Sequence, residues 1–146
     1  MKINEILESV KSGKISTKDA KKLLTLYSIE EVENFAKIDI NRSKRRGVPE
    51  VIFAETKELE DTKKIIKKTL EKTNSVIVSR IKKDDYKKIL TFSKKLKVKT
   101  KTGKNSSSVL LFKKPIKSQS GKVGIMTAGT SDIGVAEEAR LMCEAM

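Results

Sequence analysis

The sequence predicts an α/β fold in three successive pieces. These are a helical segment over residues 1–36, a small mixed α/β module over 37–112 and, past a linker at 113–122, the first β-α step of a doubly wound parallel-sheet domain over 123–146. Three observations predict it. Apolar residues recur at helical spacing through the first 36 positions. From residue 51, short β-branched runs alternate with basic amphipathic stretches. Near the end, an apolar run passes through a glycine-flanked polar loop into a helical pattern.

Ile3, Ile6, Leu7 and Val10 form the first helical stripe, and Gly13 ends it. Ser16-Thr17-Lys18-Asp19 resembles a capping box with Asp in place of Glu, ahead of a stripe of Ala20, Leu23, Leu24 and Tyr27. Ser28-Ile29-Glu30-Glu31 reads as a second capping box, with Val32, Phe35 and Ala36 on the helix face that follows. Residues 39–50 break this periodicity with four bases and two acids around Gly47 and Pro49. Pro49 disfavours helix at Val48, so the chain enters an extended run at Val51, Ile52, Phe53 and Ala54. The cationic connector suits either an anion site or a solvated loop.

Leu59, Ile65, Ile66, Thr69 and Leu70 mark a basic amphipathic helix, and residues 76–81 a β-branched strand ending near Arg80. Asp84 or Asp85 is expected to cap the next helix, which carries Tyr86, Ile89, Leu90, Phe92, Ser93 and Leu96. A weak strand over 97–102, a turn over 103–108 and a strand at Val109, Leu110, Leu111 and Phe112 complete a small mixed sheet. The Gly103-Lys104 pair is not a P-loop: Val98 stands where the first glycine would be, and Asn105 follows the lysine.

Composition bounds the chemistry. Charged residues make up 36% and hydrophobic residues 37% of the 146 positions, a folded and soluble balance. No apolar run approaches the ~20 residues that span a bilayer, and residues 1–5 carry an acid but no secretory h-region. The single cysteine excludes an internal disulfide framework, so a cytoplasmic protein without a membrane partner is expected. With one cysteine and no histidine, structural zinc and histidine-based catalysis lack their residues, and no metal ligands are assigned. Cys143, on the apolar face of the last helix, reads as a small core residue. The net charge of +14 is uneven: residues 124–146 hold one base against four acids, −3, which leaves +17 to the rest. Such a segment suits an anionic ligand or a lysine-rich solvated surface of the hyperthermophile kind. No aromatic interleaves with the bases in an RNA-stacking pattern, so nucleic acid is not the expected partner.

The stretch over residues 123–134 carries the strongest chemical signal. It reads as a buried strand, a Gly129-Thr130-Ser131-Asp132 loop and a helix start. Glycine lets backbone approach a ligand, and a helix N-terminus offers unpaired N–H groups to an anion. Ser131 and Asp132 stand where open α/β sheets bind ligands; the plainer alternative is that one of them caps the helix. Val135, Ala136, Ala139, Met142, Cys143 and Met146 are expected on the buried helix face, which calls for a partner and suggests a homo-oligomer. A single β-α step with no following strand reads as a domain whose remainder is missing.

Two sets of residues carry a resemblance. Asp39, Arg42, Arg45, Gly47, Pro49, Glu50 and Val51 have the spacing D-x-x-R-x-x-R-x-G-x-P-E-V; Phe53, Glu55 and Lys57 continue it, and Ser79-Arg80 ends a strand further on. The string running from Thr127 through Gly129, Ser131 and Gly134 to Ala139 is the second set. Both resemble the LarB family of pyridinium biscarboxylic acid mononucleotide synthases, which begin nickel-pincer cofactor synthesis. The family is related to the aminoimidazole ribonucleotide (AIR) carboxylases and mutases of purine synthesis.

The resemblance implies a flavodoxin-like catalytic domain that carboxylates nicotinic acid adenine dinucleotide with carbon dioxide or bicarbonate. The enzyme also hydrolyses the phosphoanhydride and releases AMP; Mg2+ is compatible with that chemistry, and no cofactor is assigned to this chain. Gly129, Thr130, Ser131 and Asp132 would contact the ribose-phosphate. Arg42, Arg45, Glu50, Lys57 and Arg80 would touch ligand or brace the N-terminal module. The family's nucleophilic cysteine lies in a longer catalytic domain, so Cys143 does not inherit that role and no catalytic residue is expected within this chain. Ala54 and Thr56 depart from glycines common in the family. By resemblance, the assembly is an octamer once the catalytic domain is complete. The alternatives are an AIR-carboxylase-related purine enzyme and a non-catalytic basic nucleic-acid-binding module.

Overall fold

The computed structural model describes residues 3–26, 29–32, 36–39, 48–117 and 121–146. The chain divides into two units, Met1–Asn41 and Arg42–Met146.

In the first unit, α1 (Ile3–Lys11) and α2 (Thr17–Leu26) pack together through Ile6 and Ala20, both buried. Gly13 closes α1 in the left-handed conformation, φ +74°, which glycine adopts without a Cβ penalty. Its N–H donates to Val10 O at 3.0 Å, and that of Lys14 to Ser9 O at 2.9 Å. The capping box at α2 forms: the Asp19 N–H donates to Ser16 Oγ at 3.0 Å, and the Ser16 hydroxyl donates to Asp19 Oδ2 at 2.6 Å. Leu7, read as part of the buried stripe, is half exposed.

The helix expected beyond residue 28 is replaced by a hairpin. β1 (Ile29–Val32) pairs antiparallel with β2 (Ala36–Asp39), Ile29 opposite Asp39 and Val32 opposite Ala36. So short a segment gives little return on helix nucleation, and β-branched Ile29, Val32 and Ile38 favour extended backbone. Ser28 and Phe35 lie outside the described residues.

The second unit follows the predicted order of strand, helix, strand, helix, strand, strand. Its elements are β3 (Glu50–Phe53), α3 (Leu59–Lys72), β4 (Ser75–Ser79), α4 (Lys83–Lys95), β5 (Lys99–Thr102) and β6 (Val109–Phe112), closed by α5 (Ile133–Ala145). The sheet order is β3-β4-β6-β5. β3 and β4 run parallel, as a crossover through a helix requires; β6 is antiparallel to both its neighbours.

The pleat sorts the sheet's two faces. Val76, Val78, Val109 and Leu111 point to the face covered by α3 and α4, where the buried α3 positions Thr62, Ile65, Ile66, Thr69 and Leu70 recur at helical spacing. Ile77, Leu110 and Phe112 point to the other face and pack on Leu141 of α5, with Val51, Ile116, Met142 and Ala145 at the margin. Asp84 and Asp85 sit in the first turn of α4, whose N-cap is Lys82; they complement the helix dipole rather than cap it.

The C-terminal stretch departs from expectation in three ways. Residues 123–126 form no strand: no ladder partner reaches them among the described residues, and Val123 (68%) and Met126 (97%) are exposed. α5 belongs to the same unit as the sheet and covers it directly. Its buried face also differs from the apolar stripe read in sequence. Gly134, Glu138, Leu141 and Ala145, at i, i+4, i+7 and i+11, face the sheet, whereas Val135 and Cys143 are exposed. Cys143 is therefore not a core residue.

Gly134 makes the docking close: a Cβ there would lie 2.6 Å from Asn105 O. Gly134→Ala should therefore shift α5 and lower stability by about 1–3 kcal/mol. Leu141→Ala should cost about 2–5 kcal/mol. Urea midpoints check both, and an unchanged midpoint for Leu141→Ala would remove α5 from the core.

Candidate functional site

The carboxyl ends of the parallel strands β3 and β4 carry the candidate site, where open α/β sheets place ligands. The ladder continues one residue past β3, since the Ala54 N–H donates to O of Ser79, the last residue of β4, at 2.8 Å. Arg80 then turns into the left-handed region, φ 54°, a strained conformation for a residue with a Cβ. The turn swings its guanidinium over the Phe53 ring, 5.3 Å from the centroid, and onto Glu55 Oε1 at 2.7 Å. Glu55 raises the pKa of Arg80, first through that hydrogen bond, then through its charge. Phe53 is half exposed beneath it. The following loop closes where the Lys57 N–H donates to Ala54 O at 3.1 Å. Lys82 Nζ donates to Lys57 O at 3.3 Å. The result is an aromatic and guanidinium shelf flanked by two lysines.

Glu138 ties α5 to this edge. The Ser79 hydroxyl donates to Glu138 Oε1 and the Ser108 hydroxyl to Oε2, each at 2.7 Å. Both serines are fully buried. One carboxylate thus satisfies two buried donors, one at the end of β4 and one just before the neighbouring β6, and its charge also bears on Arg80. Since Glu138 meets the end of β4 while Leu141 meets its middle at Ile77, α5 runs antiparallel to β4. Its N-terminus therefore points to the edge that carries Arg80.

Residues 129–132 lead into that N-terminus. Thr130–Asp132 form one turn of 3-10 helix, with the Asp132 N–H donating to Gly129 O at 3.2 Å. The Ser131 hydroxyl donates to Asp132 Oδ1 at 3.2 Å, and neither side chain caps α5. Thr130, Ser131 and Asp132 are exposed. Further along α5, Arg140 bonds Glu137 at 2.8 Å, Thr102 O at 3.2 Å and Glu144; Lys101 bonds Glu144 at 2.7 Å. Beside them lies a cleft of about 350 Å³ with Ile116, Val123 and Cys143 in its wall. Two of its cations, Lys101 and Arg140, are already matched by acids.

The structure thus gathers Lys57 and Arg80 at one edge. It leaves Glu50 at the opposite, amino end of β3. Arg42 and Arg45 lie outside the described residues. Phe53, Lys82 and Glu138 were missed as site residues; Phe53 was legible as the last residue of a strand, Glu138 only from the docking of α5. No group of three His, Cys, Asp or Glu able to hold a metal occurs among the described residues.

A sequence model of the LarB/PurE-like N-terminal domain matches residues 29–105, more than half of the chain. The chain belongs to this LarB/PurE-like family. The match takes in the connector motif, β3, Glu55, Lys57 and Arg80, and stops short of β6 and α5. The chain is also similar to an uncharacterized protein of Methanocaldococcus jannaschii, 36% identical over 99% of this chain and 57% of that protein. It thus spans little more than half of that relative's length.

Two outcomes follow for this LarB/PurE-like module. Glu138→Leu leaves two buried hydroxyls without an acceptor and should cost about 2–5 kcal/mol, whereas Glu138→Gln retains one acceptor and should cost less. Equal urea midpoints for the two would remove the clamp. The Arg140 hydrogen bond holds the Glu137 carboxyl below its ordinary 4.5, and the Lys101 hydrogen bond, then Arg140, does the same for Glu144. Their contribution is full above 4.5 and fades as pH falls through the lowered values. The urea midpoints of the wild type and Arg140→Gln should therefore converge in acid.

Proposed function

We propose that this chain is the N-terminal part of a carboxylating synthase acting on nicotinic acid adenine dinucleotide. In that reaction a ring carbon gains a carboxyl group from carbon dioxide or bicarbonate and loses its proton. Water adds across the phosphoanhydride, leaving a pyridinium biscarboxylic acid mononucleotide and AMP. The observation that carries the reading is the Arg80 shelf of a LarB/PurE-like module, at the same sheet edge as the α5 N-terminus.

Each residue has a part that its chemistry allows. Arg80, held by Glu55 and Phe53, offers its remaining N–H groups to a phosphate or carboxylate of the ligand. Lys57 adds a second cation; its ammonium has no acid partner among the described residues. Gly129, Thr130, Ser131 and Asp132 would receive the ribose-phosphate, with backbone N–H groups toward the phosphate and Ser131 and Asp132 toward the ribose hydroxyls. The covalent chemistry falls to residues outside this chain, and Cys143, exposed at the far end of α5, takes no part. A homo-oligomer would cover the exposed apolar residues Val123, Val135 and Met146.

AMP release by the full-length protein, followed by chromatography with nicotinic acid adenine dinucleotide and bicarbonate, tests the reading. Arg80→Ala should raise KM about ten- to a hundredfold, the loss of one charge-assisted contact. Ser131→Ala and Asp132→Ala should weaken dinucleotide binding. If the wild type releases no AMP yet turns over aminoimidazole ribonucleotide, the purine-enzyme reading replaces this one.

A further inference from the structure

The face of the sheet turned away from α5 carries a second feature that the proposed reaction does not use. α4 presents Lys87, Lys88, Thr91, Phe92 and Lys95 along one side, at i, i+1, i+4, i+5 and i+8. Lys63 reaches in from α3, its ammonium 5.9 Å from the centroid of the Phe92 ring. Together they line an open groove of about 290 Å³. Two of the four ammonium groups are matched by acids on their own helices, Lys63 by Glu60 at 2.6 Å and Lys88 by Asp85 at 3.0 Å. Lys87 and Lys95 have no acid partner among the described residues. Exposed Lys67, Lys68 and Lys94 extend the positive surface along the same two helices.

We infer that this groove binds single-stranded nucleic acid, with the phosphate backbone along the lysines and a base against the Phe92 ring. Charge complementarity and shape select the occupant. The groove is too open to enclose a free nucleotide, whereas a strand gains from each lysine it passes by releasing counterions. An aromatic ring set among cations is how sequence-tolerant single-strand sites hold bases. An acidic peptide would match the charge but has no use for the ring.

The test is fluorescence anisotropy of the purified chain with a labelled oligouridylate across a salt series. The groove pair Lys87→Gln/Lys95→Gln should make the slope of log K against log salt shallower by about 1.4, at ~0.7 per phosphate contact in a single strand. Phe92→Leu should weaken binding about five- to a hundredfold while keeping most of the slope. The surface pair Lys99→Gln/Lys122→Gln, with the same charge change outside the groove, should leave the slope nearly unchanged. The lysine variants are exposed and cannot unfold the core, so they decide the matter even if Phe92→Leu perturbs packing. Four outcomes overturn the inference: no binding at low salt, equal loss in the two lysine pairs, equal competition by polyaspartate, or binding of ATP but not of the oligonucleotide. Because these variants leave Arg80 and residues 129–132 intact, AMP release by the full-length protein stays a separate question.

Discussion

The Glu138 carboxylate between the Ser79 and Ser108 hydroxyls is the contact on which the architecture of the second unit turns. A charged group at a helix–sheet boundary is tolerated only if its oxygens find donors. Here one oxygen meets the buried hydroxyl that ends β4 and the other the buried hydroxyl just before β6, at the edge where β4 ends and β6 begins. The arrangement fixes the rotation of α5, its direction and its height on the sheet in one step. It also brings the residues before α5 to the edge where Arg80 emerges. Without it, Leu141 would still favour burial, but hydrophobic contact is non-directional and would not choose the register.

Arg80 shows the same logic on a smaller scale. Its backbone is held in a conformation that favours glycine, and the surroundings supply the compensation. The ladder bond from Ala54 anchors the residue before it, and the Ile81 N–H bonds Ser107 O at 2.9 Å just after it. Glu55 and Phe53 then orient the side chain. A guanidinium placed this way keeps donors free without searching for a position, which lowers the entropy cost of meeting an anion.

How legible this was depended on whether a signal was local. The Ser16–Asp19 box, the α3 stripe and the apolar β4 and β6 runs are decided by neighbours in sequence, and the structure contains them as read. Arg80 was legible as the residue after a strand. Features decided by tertiary partners were not. Residues 123–126 look like a strand, but a strand needs a ladder, and none reaches them among the described residues. α5 has more than one face that could be buried, and hydrophobicity alone favours the one with Val135 and Cys143. Two serine hydroxyls distant in sequence select the face with Glu138 instead. Around Phe92, Lys87, Lys88 and Lys95 share its helix and are local in sequence, whereas Lys63 comes from another helix and only the tertiary fold brings it there.

The strand order β3-β4-β6-β5 constrains how this chain comes into being on the ribosome. β6 is synthesised after β5 yet lies between β4 and β5. Until residue 112 has emerged, β4 has a partner on one side only, and β5, whose four residues are all exposed, has nothing to pair with. Val109, Leu110, Leu111 and Phe112 are all buried, so their arrival joins both halves of the sheet at once and also supplies the seat for Leu141. The edge of β4 that β6 will occupy thus stays open while residues 80–112 are made, and completion of the sheet is a late, concerted event rather than a progressive one.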